Sequence, residues 1–236
     1  MPFPTPPPRI DVIIPAYNEA RSIAQVIAEI PVGLVREVVV VDNNSSDNTA
    51  AVARAAGATV VRETRPGYGH ACLAGMAHIF GKPAAELPDI IVFLDGDHSD
   101  YPEEMPALLA PILGGEADMV IGSRALGQRE RGAMLPQQLF GNWLATKLLR
   151  WLYGARYTDL GPFRAIRAGA LQRLNMQDKT YGWTVEMQLK AAKLGLRAVE
   201  VPVRYRRRIG VSKVSGTVKG TLGAGYKILW TIFKYR

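Results

Sequence analysis

The sequence predicts a single α/β domain in which a mostly parallel sheet lies between two layers of helices. Short apolar runs alternate with segments of helical periodicity from Arg9 to Ile121, a pattern typical of three-layer sandwiches built on parallel strands. Val35–Val41 ends in four consecutive valines, as expected for a strand buried on both faces. The length of 236 residues fits one domain, and no linker or internal repeat divides it.

Five strands and four helices are expected in this alternating part. The first helix, Glu19–Ile30, should begin after Asn18 as N-cap and end before Pro31, because its apolar residues recur every three or four positions. The other expected helices are Thr49–Ala56, His70–Phe80 and Pro102–Leu113. The expected strands are Arg9–Ile14, Val35–Val41, Ala58–Val61, Ile90–Leu94 and Met119–Ile121.

The second half of the chain is less regular. Gln138–Tyr153 is expected to be a helix whose apolar stripe consists of Phe140, Leu144, Leu148 and Trp151 with Leu152. Residues from Val199 to Tyr205 alternate around Pro202 and predict an edge strand. The remaining expected elements are a strand at Phe163–Arg167, a helix at Val185–Leu194 and a final helix within Lys213–Arg236, which four glycines disfavour.

Composition and charge exclude several classes of protein. The single cysteine, Cys72, allows neither an intramolecular disulfide nor a cysteine-cluster metal site. No apolar run is long enough for a spanning helix and no signal peptide is recognised, so a cytoplasmic location is expected. The net charge is +8, and the last forty residues hold ten Lys or Arg against one acid. Such a basic end suggests a polyanion, an anionic membrane surface or phosphate groups as partner.

The polar segments that follow the predicted strands should meet at one edge of the sheet, where open α/β sheets bind ligands. Among them, Asp95-Gly96-Asp97 directly follows a buried strand. Two carboxylates so placed suit Mg²⁺ or Mn²⁺, which keep open positions for diphosphate oxygens. The alternative is an ordinary turn, because Asp and Gly are common turn residues.

Six motifs occur in a defined order along the chain. They are I-I-P-A-Y-N-E (13–19), V-D-N-N-S-S-D-N-T (41–49), P-G-Y-G-H-A-C-L-A-G (66–75), F-L-D-G-D (93–97), I-G-S-R (121–124) and G-P-F-R-A-I-R (161–167). Together they resemble the family 2 glycosyltransferases of the GT-A fold, and among these the dolichyl- or polyprenyl-phosphate sugar synthases. The resemblance implies an inverting enzyme that moves a hexose from a nucleoside-diphosphate sugar to a polyprenyl phosphate.

The resemblance also assigns parts of the chain. Residues 9–124 would bind the donor and 125–215 the acceptor, after a proline-rich leader at 1–8 and before a basic amphipathic segment at 216–236. Asp95 and Asp97 would hold the Mg²⁺ or Mn²⁺ cofactor, with Asp97 also catalytic. The residues assigned to the donor are Pro15, Tyr17, Glu19, Asp42, Gly69, His70, Asp95 and Gly96.

The motifs depart from the family pattern at three places. Asn43-Asn44 stands where Asp-Gly is usual, which leaves the base, uracil or guanine, open. Ser99 stands where a glutamine near the metal is common, and Gly161-Pro162-Phe163 replaces Ser-Gly-Phe on the acceptor side.

The nature of the acceptor decides which side chains are needed. A phosphate is mostly ionised at neutral pH and needs cations rather than a base. The candidates for holding it are Ser123, Arg124, Arg129, Arg131, Arg206 and Lys213, with Arg124 also catalytic. A hydroxyl acceptor would need a carboxylate base, for which Asp159 is the first candidate and Glu186 the second. Both acceptors remain open.

Three segments suggest attachment to the inner face of a membrane. Gln138–Tyr153 and Tyr226–Tyr235 mix aromatic and basic residues, and Arg206–Arg208 adds positive charge. Alternatively, both helices pack on the sheet or in a homodimer. A nucleic-acid partner is not expected, because the body is neutral and lacks nucleic-acid-binding motifs. An inactive scaffold is disfavoured by the intact Asp95, Asp97 and Arg124.

Overall fold

Seven strands form one sheet in the computed structural model, which describes residues 7–210 and 218–236. They are β1 (Ile10–Ala16), β2 (Glu37–Asp42), β3 (Thr59–Arg62), β4 (Ile90–Phe93), β5 (Met119–Ser123), β6 (Arg164–Arg167) and β7 (Ala198–Pro202). Their order across the sheet is β3-β2-β1-β4-β6-β5-β7. Only β6 runs antiparallel to its neighbours, β4 and β5. The predicted mostly parallel mixed sheet is confirmed, and β7 is an edge strand as expected.

The part of the chain that the structure describes contains eight α-helices. They are α1 (Ile23–Ala28), α2 (Thr49–Ala55), α3 (Tyr68–Phe80), α4 (Met105–Leu113), α5 (Pro136–Tyr153), α6 (Ala168–Leu174), α7 (Trp183–Lys193) and α8 (Val218–Lys234). One core cluster joins α1, α2 and α4 to one face of the sheet, and another joins α3, α6 and α7 to the opposite face. This is the predicted three-layer arrangement. The short α6 was not predicted.

A third cluster lies outside these layers. Its buried members are Ala145 and Leu149 of α5, Val185 and Leu189 of α7, Ile232 of α8, and Leu160 before β6. The C-terminal helix therefore packs on α5 and α7 rather than standing alone. Within residues 7–210 and 218–236, no helix is long and apolar enough to cross a membrane.

Two predicted features are wrong in detail. Asn18 does not cap α1, which begins after Ser22. Asn18 instead adopts a left-handed backbone, with φ of 54°, and its side-chain oxygen accepts a hydrogen bond from the Ser46 amide at 2.8 Å. The residue thus ties the loop after β1 to the loop after β2.

The apolar stripe of α5 agrees with the prediction only in part. Leu148 and Leu152 pack against the third cluster, whereas Phe140 and Trp151 are 61% and 77% exposed. The fully buried face consists of Ala145, Thr146 and Leu149. The largest aromatic side chains of this helix consequently face solvent.

Candidate active site

A cavity of about 360 Å³ opens where β1, β2 and β4 end. This is the edge at which the sequence places its polar segments, since all three strands run parallel. Residues predicted to bind the donor line it, namely Pro15, Tyr17, Glu19, Asp95, Gly96 and the metal candidate Asp97. The remaining lining residues are Ala16, Asn43, Asn44, Pro66, Gly67, Tyr68, Ala71, Tyr181 and Arg208.

Asn43 organises one wall of the cavity. Its side-chain amide donates to the carbonyl oxygens of Arg65 at 2.7 Å and Glu63 at 3.2 Å. Its side-chain oxygen accepts from the Gly67 amide at 2.8 Å. An aspartate could not donate the first two hydrogen bonds, so the asparagine at this position has a structural reason.

Asp95 and Asp97 lie at the floor of the cavity. The Tyr68 hydroxyl donates to Asp95 Oδ1 at 3.1 Å. One oxygen of Asp97 accepts from the Ser99 amide at 2.9 Å and the Ser99 hydroxyl at 2.5 Å. Burial raises the pKa of Asp95 to about 7, and the neighbouring Asp97 carboxylate contributes to the rise. Two carboxylates one residue apart, Asp97 buried and Asp95 half-buried, are an environment in which an added cation is favourable.

Arg208 supplies positive charge at this place. Its guanidinium contacts Glu19 Oε1 at 2.9 Å and Asp97 Oδ2 at 3.1 Å. Arg208 lies after β7, and its contacts tie this late part of the chain to the loops that follow β1 and β4. Sequence reasoning found the basic cluster but not this residue's place in the site.

Asp100 is a buried carboxyl group behind the site that sequence reasoning missed. It is 2% exposed, and neither of its oxygens has a hydrogen-bond partner among the described residues. Burial raises its pKa well above the ordinary range, and the charges of Asp95 and Asp97 add to the effect.

Three of the predicted donor residues lie behind the cavity wall. Asp42 accepts a hydrogen bond from the Ser45 amide at 3.1 Å. The amides of Gly69 and His70 donate to the carbonyl oxygens of Thr180 and Lys179 at 3.2 and 3.0 Å. These residues shape the loops of the cavity without lining it.

Arg124 and Asp159 form a buried pair. Asp159 Oδ2 accepts from Arg124 Nε and from its backbone amide, both at 2.8 Å, and Oδ1 accepts from Nη2 at 2.7 Å. Both carboxylate oxygens are therefore committed to Arg124. This geometry speaks against the prediction that Asp159 is a free base.

Glu186 does not lie at the cavity either. It is fully buried at the start of α7, accepts hydrogen bonds from the Gln177 and Asp178 amides, and pairs with Lys190 at 2.7 Å. Its predicted role as a second candidate base is therefore not supported. Its contacts are those of a structural anchor.

The predicted phosphate-binding residues are not gathered in one place. Arg206 is held by Glu29 at 2.5 Å and by the carbonyl oxygens of His98 and Asp100. The Ser123 hydroxyl bonds to Thr158 Oγ1 at 2.7 Å, and Arg131 is exposed. Lys213 lies outside the described residues. Arg208 also pairs with Glu19, so Arg206 and Arg208 of the basic cluster are both matched by carboxylates. The Arg207 guanidinium donates to the Arg131 carbonyl oxygen, and only its backbone amide meets Glu130.

A second cavity of about 420 Å³ lies beside α5. Arg129 is among its lining residues, with Lys147 and Arg150 from the helix. Leu139 and Trp143 add an apolar border, and the remaining lining residues are Ala125, Asn142, Thr146, Tyr157 and Thr158. The lining holds three cations and no acidic side chain.

The fold and the first cavity define an α/β protein with a pair of carboxylates at the edge of the sheet. Comparison with known proteins identifies the family to which such a protein belongs. The model of "Glycosyl transferase family 2" matches residues 11–174. The chain therefore belongs to glycosyl transferase family 2. An uncharacterized glycosyltransferase of Mycobacterium tuberculosis is 38% identical over 221 residues, which cover 90% of this chain and 93% of the relative.

One curated relative has a stated lipid acceptor. It is the undecaprenyl-phosphate mannosyltransferase of Micrococcus luteus, 34% identical over 224 residues, with 90% of each chain covered.

Solved structures identify the fold as GT-A. Glucosyl-3-phosphoglycerate synthase of Mycobacterium tuberculosis in complex with Mn²⁺, UDP and glucosyl-3-phosphoglycerate gives a TM-score of 0.74 at 25% identity, over 96% of this chain and 79% of that chain. The same enzyme with Mg²⁺ and UDP gives 0.73 at 27% identity, with the same coverage.

Proposed function

We propose that this glycosyltransferase moves a hexose, with inversion, from a nucleoside-diphosphate sugar to a polyprenyl phosphate at a membrane surface. The observation that carries the acceptor is the second cavity, in which three cations meet an apolar border. A lipid phosphate is complementary to both features, because its anionic head can bind the basic side chains and its apolar chain can pack on the apolar border.

The first cavity is the proposed donor site. Its floor carries Asp95 and Asp97, and carboxylate oxygens are the ligands that Mg²⁺ and Mn²⁺ prefer. Among the described residues, no group of three or more His, Cys, Asp or Glu is arranged to hold a metal. Two carboxylates with diphosphate oxygens as further ligands are a usual arrangement for Mg²⁺. When bound there, the cation would stabilise negative charge on the diphosphate leaving group.

The chain's own residues would position the reactants. Arg208, beside Asp97, adds a cation next to the diphosphate, and the Tyr68 hydroxyl orients Asp95. An ionised phosphate needs no base, which agrees with the commitment of Asp159 to Arg124. Direct displacement by the phosphate oxygen inverts the configuration at the anomeric carbon, and no covalent glycosyl-enzyme is needed.

Exposed aromatic side chains on α5 and α8 support a lipid acceptor. Phe140 and Trp151 of α5 are exposed, as are Tyr226 and Phe233 of α8. Aromatic side chains beside lysines and arginines are typical of helices that lie in the interface of a membrane. The lipid acceptor of the Micrococcus luteus relative agrees with this assignment.

A small phosphorylated acid is the second candidate acceptor. It is favoured by the likeness to glucosyl-3-phosphoglycerate synthase. Such an acceptor has no apolar chain, and so does not account for Leu139 and Trp143 at the border of the second cavity.

The test measures acceptor binding by calorimetry, with farnesyl phosphate and 3-phosphoglycerate as probes. We expect farnesyl phosphate to bind the parent and to bind a Lys147→Met, Arg150→Met variant on the order of tenfold more weakly. An Arg54→Met, Arg173→Met variant is the control, because both side chains are exposed on other helices. Tighter binding of 3-phosphoglycerate, or equal binding of farnesyl phosphate by both variants, would favour the second candidate.

A further inference from the structure

The chain between α6 and α7 forms part of the wall of the donor cavity. Tyr181 of this segment, residues 175–182, lines the cavity together with Gly67 and Tyr68. The segment has no helix or strand of its own. Its conformation therefore depends on the groups that its backbone contacts.

On one side, the 175–182 segment packs directly on the start of α3. The Gly69 and His70 amides donate to the carbonyl oxygens of Thr180 and Lys179. A Cβ atom at Gly69 would lie 2.1 Å from the Asp178 carbonyl oxygen. The backbones of Gly69 and Asp178 thus lie so close together that no side chain would fit between them. A displacement of the segment would therefore move the first turn of α3, and with it the part of the cavity wall formed by Tyr68.

Two buried carboxylates hold the backbone of the 175–182 segment. Glu186 accepts from the Asp178 amide at 2.7 Å and from the Gln177 amide. Asp178 Oδ1 accepts from the Thr180 amide at 2.8 Å and the Gly182 amide at 3.1 Å. The two acids thus replace the backbone partners that a helix or strand would provide.

Both carboxylates are also contacted by α8 or by the residue that directly follows it. The Tyr235 hydroxyl donates to Glu186 Oε1 at 2.7 Å, and Lys227 Nζ lies 3.1 Å from Asp178 Oδ2. A Cβ atom at Gly182 would lie 2.4 Å from Thr231 Oγ1. Lys227 and Thr231 of α8, and Tyr235 directly after it, are spaced by four residues and contact the 175–182 segment or the Glu186 carboxylate that holds it.

We propose that α8 sets the shape of the donor cavity through this segment, with Lys227 and Tyr235 as positioning residues for the nucleotide. The same helix exposes Leu222, Tyr226 and Phe233 on its outer side. A surface that binds this outer side would thereby change the affinity for the donor, because α8 would contact that surface and the 175–182 segment at the same time. This inference rests on the proposed donor site.

The experiment measures UDP and GDP binding in the presence of Mn²⁺ by calorimetry, on the full chain. Tyr235→Phe and Lys227→Met should each weaken nucleotide binding on the order of tenfold, as expected for loss of a charge-assisted hydrogen bond. Lys227→Arg should restore most of the affinity. Tyr101→Phe and Lys82→Met, the matched changes outside α8 and outside the cavity lining, should leave it unchanged.

Hydrogen–deuterium exchange separates positioning from general destabilisation. In the Tyr235→Phe and Lys227→Met variants, exchange should rise in 175–182 and at the Gly69 and His70 amides, while the strands stay protected. Nucleotide affinity equal to that of the matched controls would overturn the inference and leave the donor site intact. A parent protein that binds neither nucleotide would overturn the donor site and the inference together.

Discussion

Asp97 is the residue on which the proposed chemistry depends most directly. One of its oxygens is held by Ser99, and the other contacts Arg208 at the cavity. Asp97→Asn keeps the shape of the side chain but removes its charge. We expect Mn²⁺-dependent nucleotide affinity to fall at least about 100-fold. Loss of a metal ligand should lower the affinity at least as much as loss of a residue that only supports such a ligand.

Calorimetry with UDP and GDP, with and without Mn²⁺, measures this effect. Glu116→Gln is the control, because that carboxylate is exposed and lies outside the cavity. If Mn²⁺ strengthened nucleotide binding equally in Asp97→Asn and in the parent, the assignment of the metal to this carboxylate would be wrong.

A substitution at Asp159 shows whether its carboxylate anchors Arg124 or acts as a catalytic base. Asp159→Asn would leave the buried Arg124 without its counter-charge, and removing one partner of such a pair costs about 3–5 kcal/mol. We therefore expect the free energy of unfolding, measured in urea, to fall by about 3 kcal/mol. Asp118→Asn, in a more exposed pair with Arg197, should cost about 1 kcal/mol or less. A stable Asp159→Asn protein that had lost only turnover would instead support a base.

At the scale of the elements, α5 and α8 carry the proposed membrane surface. Phe140→Glu with Trp151→Glu should reduce co-sedimentation with anionic vesicles at least about tenfold, because the apolar surface that enters the interface is lost. Binding of the parent should weaken with salt without disappearing. Val32→Glu, at a fully exposed valine outside both helices, is the control. Unchanged binding of the double variant would exclude α5 from the contact.

Sequence periodicity predicted most elements because strands and helices here follow local patterns. Val39, Val40 and Val41 of β2 are buried as expected. Leu108, Leu109 and Ile112 of α4 are buried as well. The predicted start of α1 and the predicted buried face of α5 were wrong in part because both depend on contacts with residues that are distant in the sequence. Asn18 is fixed by the loop after β2, and α5 turns Ala145 and Leu149 rather than Phe140 and Trp151 toward α7 and α8.

At the scale of the whole molecule, the ordered motifs identified the family and most of the cavity. They could not predict Tyr181 and Arg208, which reach the cavity from far along the chain and belong to none of the quoted motifs. Nor could they predict that Arg206 pairs with Glu29, since that contact joins residues 177 positions apart. Charge counted along the sequence therefore overstated the free positive charge of the folded protein.

Transfer of a sugar to a lipid phosphate is tested most directly by measuring the product itself. The purified chain, with Mn²⁺, labelled UDP- and GDP-hexoses, a polyprenyl phosphate and 3-phosphoglycerate in one mixture, should place label in the organic-extractable lipid. NMR of that lipid should give the anomeric configuration opposite to that of the donor. Label found only on 3-phosphoglycerate, or a lipid product with retained configuration, would contradict the proposed function.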